Sequence, residues 1–133
     1  MIQLPPSATD EQIVAAVSDW VGLLAADRYE EACAVVKHAD DDHWTPDLMR
    51  SIIRNYGFLE ARKDGKTFCV THLDERATKG NRRRPRVEWY DARRGTAYFD
   101  LPLNGEWSDL TAIMDVLKED GGISLTLSDI HVL

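Results

Sequence analysis

The residues best suited to proton chemistry lie near the C-terminus, where Asp129 and His131 stand two positions apart in Ser128-Asp-Ile-His-Val132. That spacing puts both on one face of an extended strand. A neutral imidazole beside a carboxylate is the arrangement of a general base, and Asp100 or Asp115 is the acid expected to face His131 once strands pair. A hydrogen-bonded structural histidine explains the same residues, so no catalytic role is assigned to them. A second cluster, His38-Ala-Asp-Asp-Asp-His43, has the residue types of a metal site. Its five-residue step matches no established ligand pattern, and it reads as a solvated acidic loop. No metal or other cofactor is expected.

Lys79-Gly-Asn-Arg-Arg-Arg-Pro-Arg86 gathers Arg82, Arg83, Arg84 and Arg86, whose guanidinium groups suit carboxylates or phosphates. Its Gly, Asn and Pro describe a flexible connection, and a solubilising loop or edge guard is the competing explanation. On the partner reading, Arg82→Glu with Arg83→Glu changes association with little effect on melting. Trp107 sits in the turn-rich segment 104–108, poorly placed for a core and better placed to touch a ligand or partner. With 8% aromatic residues, Trp44, Trp89 and Tyr90 are needed mainly to build the interior. Cys33 and Cys69 have apolar neighbours and read as buried, reduced, inert thiols. There is no nucleophile elbow, no glycine-rich phosphate loop and no internal repeat.

The elements that must position these residues divide into an early helical half and a late extended half. Thr9-Asp-Glu-Gln12 is a capping box, followed by Ile13, Val14, Val17, Trp20, Val21 and Leu24 at three- and four-residue steps, so a first helix runs to about Ala26. A shorter helix follows Asp27, burying Tyr29, Ala32, Cys33, Val35 and Val36. Thr45-Pro46-Asp47 supplies an N-cap hydroxyl, a proline at N1 and an acid facing the helix dipole. That third helix turns Leu48, Ile52 and Ile53 inward and stops at Tyr56-Gly57. Strands are expected near 58–60 and over 66–73, 86–92 and 96–103, with turns at Asp64-Gly65, Arg93-Arg94-Gly95 and Asn104-Gly105. The last strand alternates from Ile123 to Leu127, behind a Gly121-Gly122 turn. Residues 108–120 carry both a helical stripe (Leu110, Ile113, Met114, Leu117) and a strand alternation (Leu110, Ala112, Met114, Val116), and periodicity alone leans to the helix.

A length of 133 residues favours one domain spanning 1–133, with 44% hydrophobic and 29% charged residues, ordinary for a globular chain. No apolar run approaches the roughly 20 residues that cross a bilayer, and the N-terminus lacks the pattern of a signal peptide. No membrane association and a cytoplasmic location are expected. The formal charge of −7 is uneven. Between positions 74 and 94 eight Lys/Arg stand against four Asp/Glu, a local +4, and the other 8 basic and 19 acidic residues leave the rest at −11. A body of that sign repels a phosphate backbone, so nucleic acid is not expected as a partner.

A long amphipathic helix, then Ala25-Ala-Asp-Arg-Tyr-Glu-Glu-Ala-Cys33, then Trp44-Thr-Pro-Asp-Leu48, then strands ending Ser128-Asp-Ile-His-Val132, resembles the NTF2-like (cystatin-like) superfamily over nearly the whole chain. Gly105-Glu-Trp-Ser-Asp-Leu-Thr111 is similar to small bacterial proteins of this kind, which implies no known chemistry. The resemblance implies an α+β cone in which early helices pack on a curved antiparallel sheet ending in a long hairpin, and it tips 108–120 towards strand. It implies no function, because the superfamily holds isomerases, dehydratases, binding modules and immunity-type proteins alike. The expectation is a binding protein rather than an enzyme, recognising a protein partner, with an immunity- or antitoxin-like role as one form of it. The competing class is a small-molecule enzyme, isomerase or dehydratase in type, with its site in the sheet concavity around His131. A homodimer stays open.

Overall fold

The capping signals of the first half act where the sequence places them. The computed structural model describes residues 1–36 and 43–133. After a short strand β1 (Ile2–Leu4), helix α1 runs Asp10–Ala25. Its capping box is complete: the Gln12 amide donates to Thr9 Oγ1 at 3.2 Å and the Thr9 amide to Gln12 Oε1 at 2.9 Å. Helix α2 (Tyr29–Val36) is tied to α1 by Trp20, whose indole N–H donates to the Ala32 carbonyl at 2.9 Å. Helix α3 (Pro46–Arg54) starts on Thr45, whose hydroxyl accepts from the Leu48 amide at 3.1 Å. It buries Met49, Ile52 and Ile53, and Leu48 is only partly covered. Its C-cap is Asn55, and the chain then passes through positive φ at both Tyr56 and Gly57. Tyrosine is rare in that region, and the Tyr56 hydroxyl donates to Asp109 from there.

The second half is an unclosed antiparallel sheet in the order β1-β5-β4-β3-β2, built from β2 (Arg86–Trp89), β3 (Arg94–Leu103), β4 (Glu106–Glu119) and β5 (Gly122–Val132). Residues 108–120 are therefore strand almost throughout, paired antiparallel with the last strand as the resemblance implies. The helical stripe was a coincidence of two buried faces: Ile113 is covered on the side opposite Leu110 and Met114. Register shifts between Asp100 and Pro102 and between Ile113 and Met114 are the places where bulges bend such a sheet. Asn104-Gly105 makes the β3–β4 turn with φ 51° and 83°, the two positive values of a type I′ hairpin.

Three turn and strand expectations need correction. The β4–β5 turn is Asp120-Gly121, and the positive φ lies at Gly122 (149°), where a Cβ would meet the Leu4 carbonyl oxygen at 2.6 Å. Glycine is required there for β1 to approach. The β2–β3 turn does not use a positive φ at Gly95. Asp91 builds it instead, accepting from the Arg93 and Arg94 amides at 2.8 Å each. Residues 58–60 and 66–73 form no regular strand. One bridge, Val70 to Leu103, touches the sheet, where Pro102 can accept from the Thr71 amide (2.9 Å) but has no N–H to return. Asn104 takes over, its side chain bonding the Cys69 amide and the Thr67 carbonyl, both at 3.0 Å.

One apolar cluster joins the helices to a single face of the sheet. From the strands it takes Ala97, Phe99, Leu101, Ala112, Met114, Val116, Leu125 and Leu127, and from the helices Ile13, Val17, Trp20, Met49 and Ile53 among others. Among the described residues no helix is long and apolar enough to cross a membrane.

Candidate functional site

Strand alternation turns the other set of side chains away from the helices. On β4 these are Thr111, Ile113, Asp115 and Leu117, and the register lines them up in rows with β3 and β5. Asp100, Thr111 and His131 form one row, Tyr98, Ile113 and Asp129 the next, and Thr96, Asp115 and Thr126 a third. Arg94, Leu117, Ser124 and Gln3 form a fourth. Four of the residues singled out in the sequence, Asp100, Asp129, His131 and Arg83, thus meet on this helix-free face.

They do not meet as a His131–Asp100 pair. His131 Nδ1 lies 2.6 Å from Asp129 Oδ2, and Asp129 also accepts from the Ile130 amide at 2.8 Å. Asp100 is 2% exposed and is held by Arg83, whose amide donates to Oδ2 at 2.8 Å and whose Nη2 donates to Oδ1 at 3.1 Å. The Thr111 hydroxyl donates to the same carboxylate at 2.8 Å and accepts from Arg83 Nη2 at 2.9 Å. Arg83 therefore lies over the acid that His131 was expected to use. Asp115 is one strand row beyond Asp129, and its side chain has no hydrogen bond or ion pair among the described residues.

The arginine loop is likewise a set of internal partners. Arg82 stacks 3.7 Å above the Trp107 ring and 5.1 Å from Phe99, and its Nη1 meets Glu75 at 2.5 Å. Its Nε and Nη2 are buried with no hydrogen-bond partner. Arg86 lies over Tyr98 at 4.4 Å and bonds Glu88 at 3.1 Å. Of the four, only Arg84 is left exposed without a partner among the described residues. Reversing Arg82 and Arg83 would consequently cost stability, contrary to the sequence expectation. Trp107 is also corrected. It is 4% exposed and part of the core, because the chain at 79–81 folds back on it. Its amide donates to the Lys79 carbonyl at 3.0 Å, its carbonyl accepts from the Asn81 amide at 3.2 Å, and its indole N–H donates to the Ala77 carbonyl at 3.0 Å. Both cysteines are free thiols, and Cys33 is buried with its Sγ 3.1 Å from the Trp44 carbonyl. Cys69, expected inside, is exposed because its segment never becomes an interior strand. The His38 to His43 cluster lies outside the described residues, apart from His43.

At the β4–β5 turn the same face sinks into a depression of about 750 Å³, lined by Tyr90, Arg94, Asp115, Leu117, Glu119 and Ser124 among others. Sequence reasoning did not assemble this group. Its signal was present as alternate positions of two strands, but only the pairing register shows that Arg94 and Ser124 flank Leu117. Burial raises the pKa of Tyr98, with the charge of Glu88 adding to it. The Arg93 and Arg94 amides lower that of Asp91. By contrast, the cavity at the α1 side, bounded by Gly22, Phe99 and Trp107 among others, measures about 60 Å³, room for roughly two waters.

No curated protein and no solved structure matches the chain. One family model does, over residues 21–133, which takes in the end of α1, both later helices and strands β2 to β5. By that match the chain belongs to the family DUF7668, a domain of unknown function.

Proposed function

We propose that the chain is a non-catalytic binding protein that recognises a protein partner through the helix-free face of its sheet, in the manner of an immunity or antitoxin-like inhibitor. The observation that carries this is the contrast between the two faces. The helix side is filled by one apolar cluster, while the other side ends at the β4–β5 turn in a depression of about 750 Å³ with Tyr90, Arg94, Asp115 and Glu119 exposed around it. A small-molecule site needs a concave pocket that removes most of the ligand from water. A broad sheet face with exposed Tyr90 and half-buried Leu117 suits a protein surface better. Kinship with the NTF2-like superfamily belongs to the same proposal, supported by the helix-first order and the long final hairpin. So does a cytoplasmic setting, supported by two free thiols.

A second reading rests on the 2.6 Å contact between His131 and Asp129, which fixes the ring and leaves Nε2 as a base on the accessible face. Paired pull-downs from the source cell separate the two. Wild type, Leu117→Arg and Arg84→Glu serve as baits, with His131→Ala as a fourth. A partner lost only from Leu117→Arg supports the proposal, and one lost only from Arg84→Glu moves recognition to the loop. No capture by wild type, with a turnover abolished in a folded His131→Ala, replaces binding by catalysis.

A further inference from the structure

Along the middle of the helix-free face, charged groups among the described residues have partners. Arg83 pairs with Asp100, Arg86 with Glu88, and His131 with Asp129. In the depression Asp115 and Glu119 are exposed, and neither side chain has a hydrogen bond or ion pair among the described residues. Of the two cations that line it, Arg94 and the Met1 amino group, Arg94 lies close enough to Asp91 to help lower that acid's pKa. The two carboxylates thus stand without an ion pair although two cations line the same depression.

Their geometry restricts what can neutralise them. Asp115 and Glu119 are four residues apart on one strand face with no register shift between them, so they stand roughly 13 Å apart. No single metal ion or small amine reaches both. Leu117 lies midway with Ser124 beside it, and Tyr90 forms an aromatic wall. We propose that this depression receives an extended cationic segment of a protein partner, with Lys or Arg side chains two strand repeats apart meeting Asp115 and Glu119 and an apolar residue between them on Leu117. This rests on the reading of the helix-free face as the recognition surface. It reverses the partner charge that the arginine loop first suggested, because those arginines are engaged within the fold.

The test uses full-length ¹⁵N-labelled protein and two synthetic peptides, Lys-Thr-Leu-Thr-Lys and Glu-Thr-Leu-Thr-Glu, each flanked by neutral residues. The basic peptide is expected to shift the amides of Arg94, Asp115 to Glu119 and Ser124 to Thr126, and the acidic one to leave them unmoved. Asp115→Asn with Glu119→Gln should weaken the basic peptide about fivefold, from two exposed ion pairs. Glu30→Gln with Glu60→Gln, a change of equal net charge elsewhere, should not. Shifts mapped to the helices, no shift at millimolar peptide, equal weakening in both double variants, or binding of the acidic peptide at this face would each overturn the inference. A natural partner that needs Leu117 but ignores the Asp115/Glu119 change sinks the cationic segment alone. Basic-peptide binding here with no partner captured through Leu117 sinks the recognition reading instead.

Discussion

Replacing Asp100 by alanine should destabilise the protein more than any surface substitution on the same face. Asp100 is almost fully buried and accepts from the Arg83 amide, the Arg83 guanidinium and the Thr111 hydroxyl. Alanine leaves a cation and two neutral donors facing a void. Removing one member of a buried pair costs roughly 3–5 kcal/mol. The Arg83 side chain is 41% exposed, so water recovers part of its hydration and the lower end, about 3 kcal/mol, applies. At roughly 3–4 °C per kcal/mol for a chain of this size, Tm falls by about 10 °C. Arg83→Ala leaves the carboxylate with Thr111 and the residue-83 amide, so it should cost less, about 1–2 kcal/mol. The two changes share one interaction, and the double variant should lose at least about 1 kcal/mol less than the sum of the singles. Urea unfolding followed by tryptophan fluorescence measures all three. A loss below about 1 kcal/mol for Asp100→Ala, or strict additivity, would refute the claim that Arg83 and Asp100 form a buried latch.

Three further outcomes are expected. A thiol reagent without denaturant should modify Cys69 quickly and Cys33 only on unfolding, because one thiol is exposed and the other is sealed beneath Trp44; equal rates would contradict this. Burial, reinforced by the charge of Asp27, pushes the Tyr29 hydroxyl from 10.0 up to about 12, so its contribution is complete below pH 10 and is lost as pH rises towards 12. Tyr29→Phe, which cannot ionise, should move the alkaline unfolding midpoint upward, and an unchanged or lower midpoint would sink the assignment. Arg82→Met should be neutral or stabilising by about 1 kcal/mol, since methionine keeps contact with Trp107 and removes two buried N–H groups that find no partner. A Tm lowered by more than a few degrees would show that the guanidinium itself holds the loop.

Much of the architecture was legible because its signals are local. The Thr9–Gln12 box, Thr45-Pro46 and Asn104-Gly105 each solve a backbone problem within four residues, and each acts as read. The 108–120 strand needed more than periodicity, because Ile113 and Leu117 are partly or wholly covered on the face away from the helices. The site was less legible for the same reason. Adjacent arginines point to different partners, Arg82 to Trp107 and Glu75 and Arg83 to Asp100, and no sequence rule separates a solvated arginine from one that is latched. Trp107 was misplaced because the segment that covers it lies some 27 residues earlier. Asp115, Leu117 and Glu119 alternate plainly, but their neighbours Arg94 and Ser124 are supplied by register alone.

Site-specific photo-cross-linking in the source cell tests the central claim most directly. A photoreactive phenylalanine analogue is placed singly at Leu117 and Ser124 on the helix-free face, at Glu30 on α2, and at Arg84 in the loop. The account predicts one protein partner joined through positions 117 and 124 and absent from 30 and 84. A partner joined through Glu30 or Arg84, with none from the sheet positions, would contradict it.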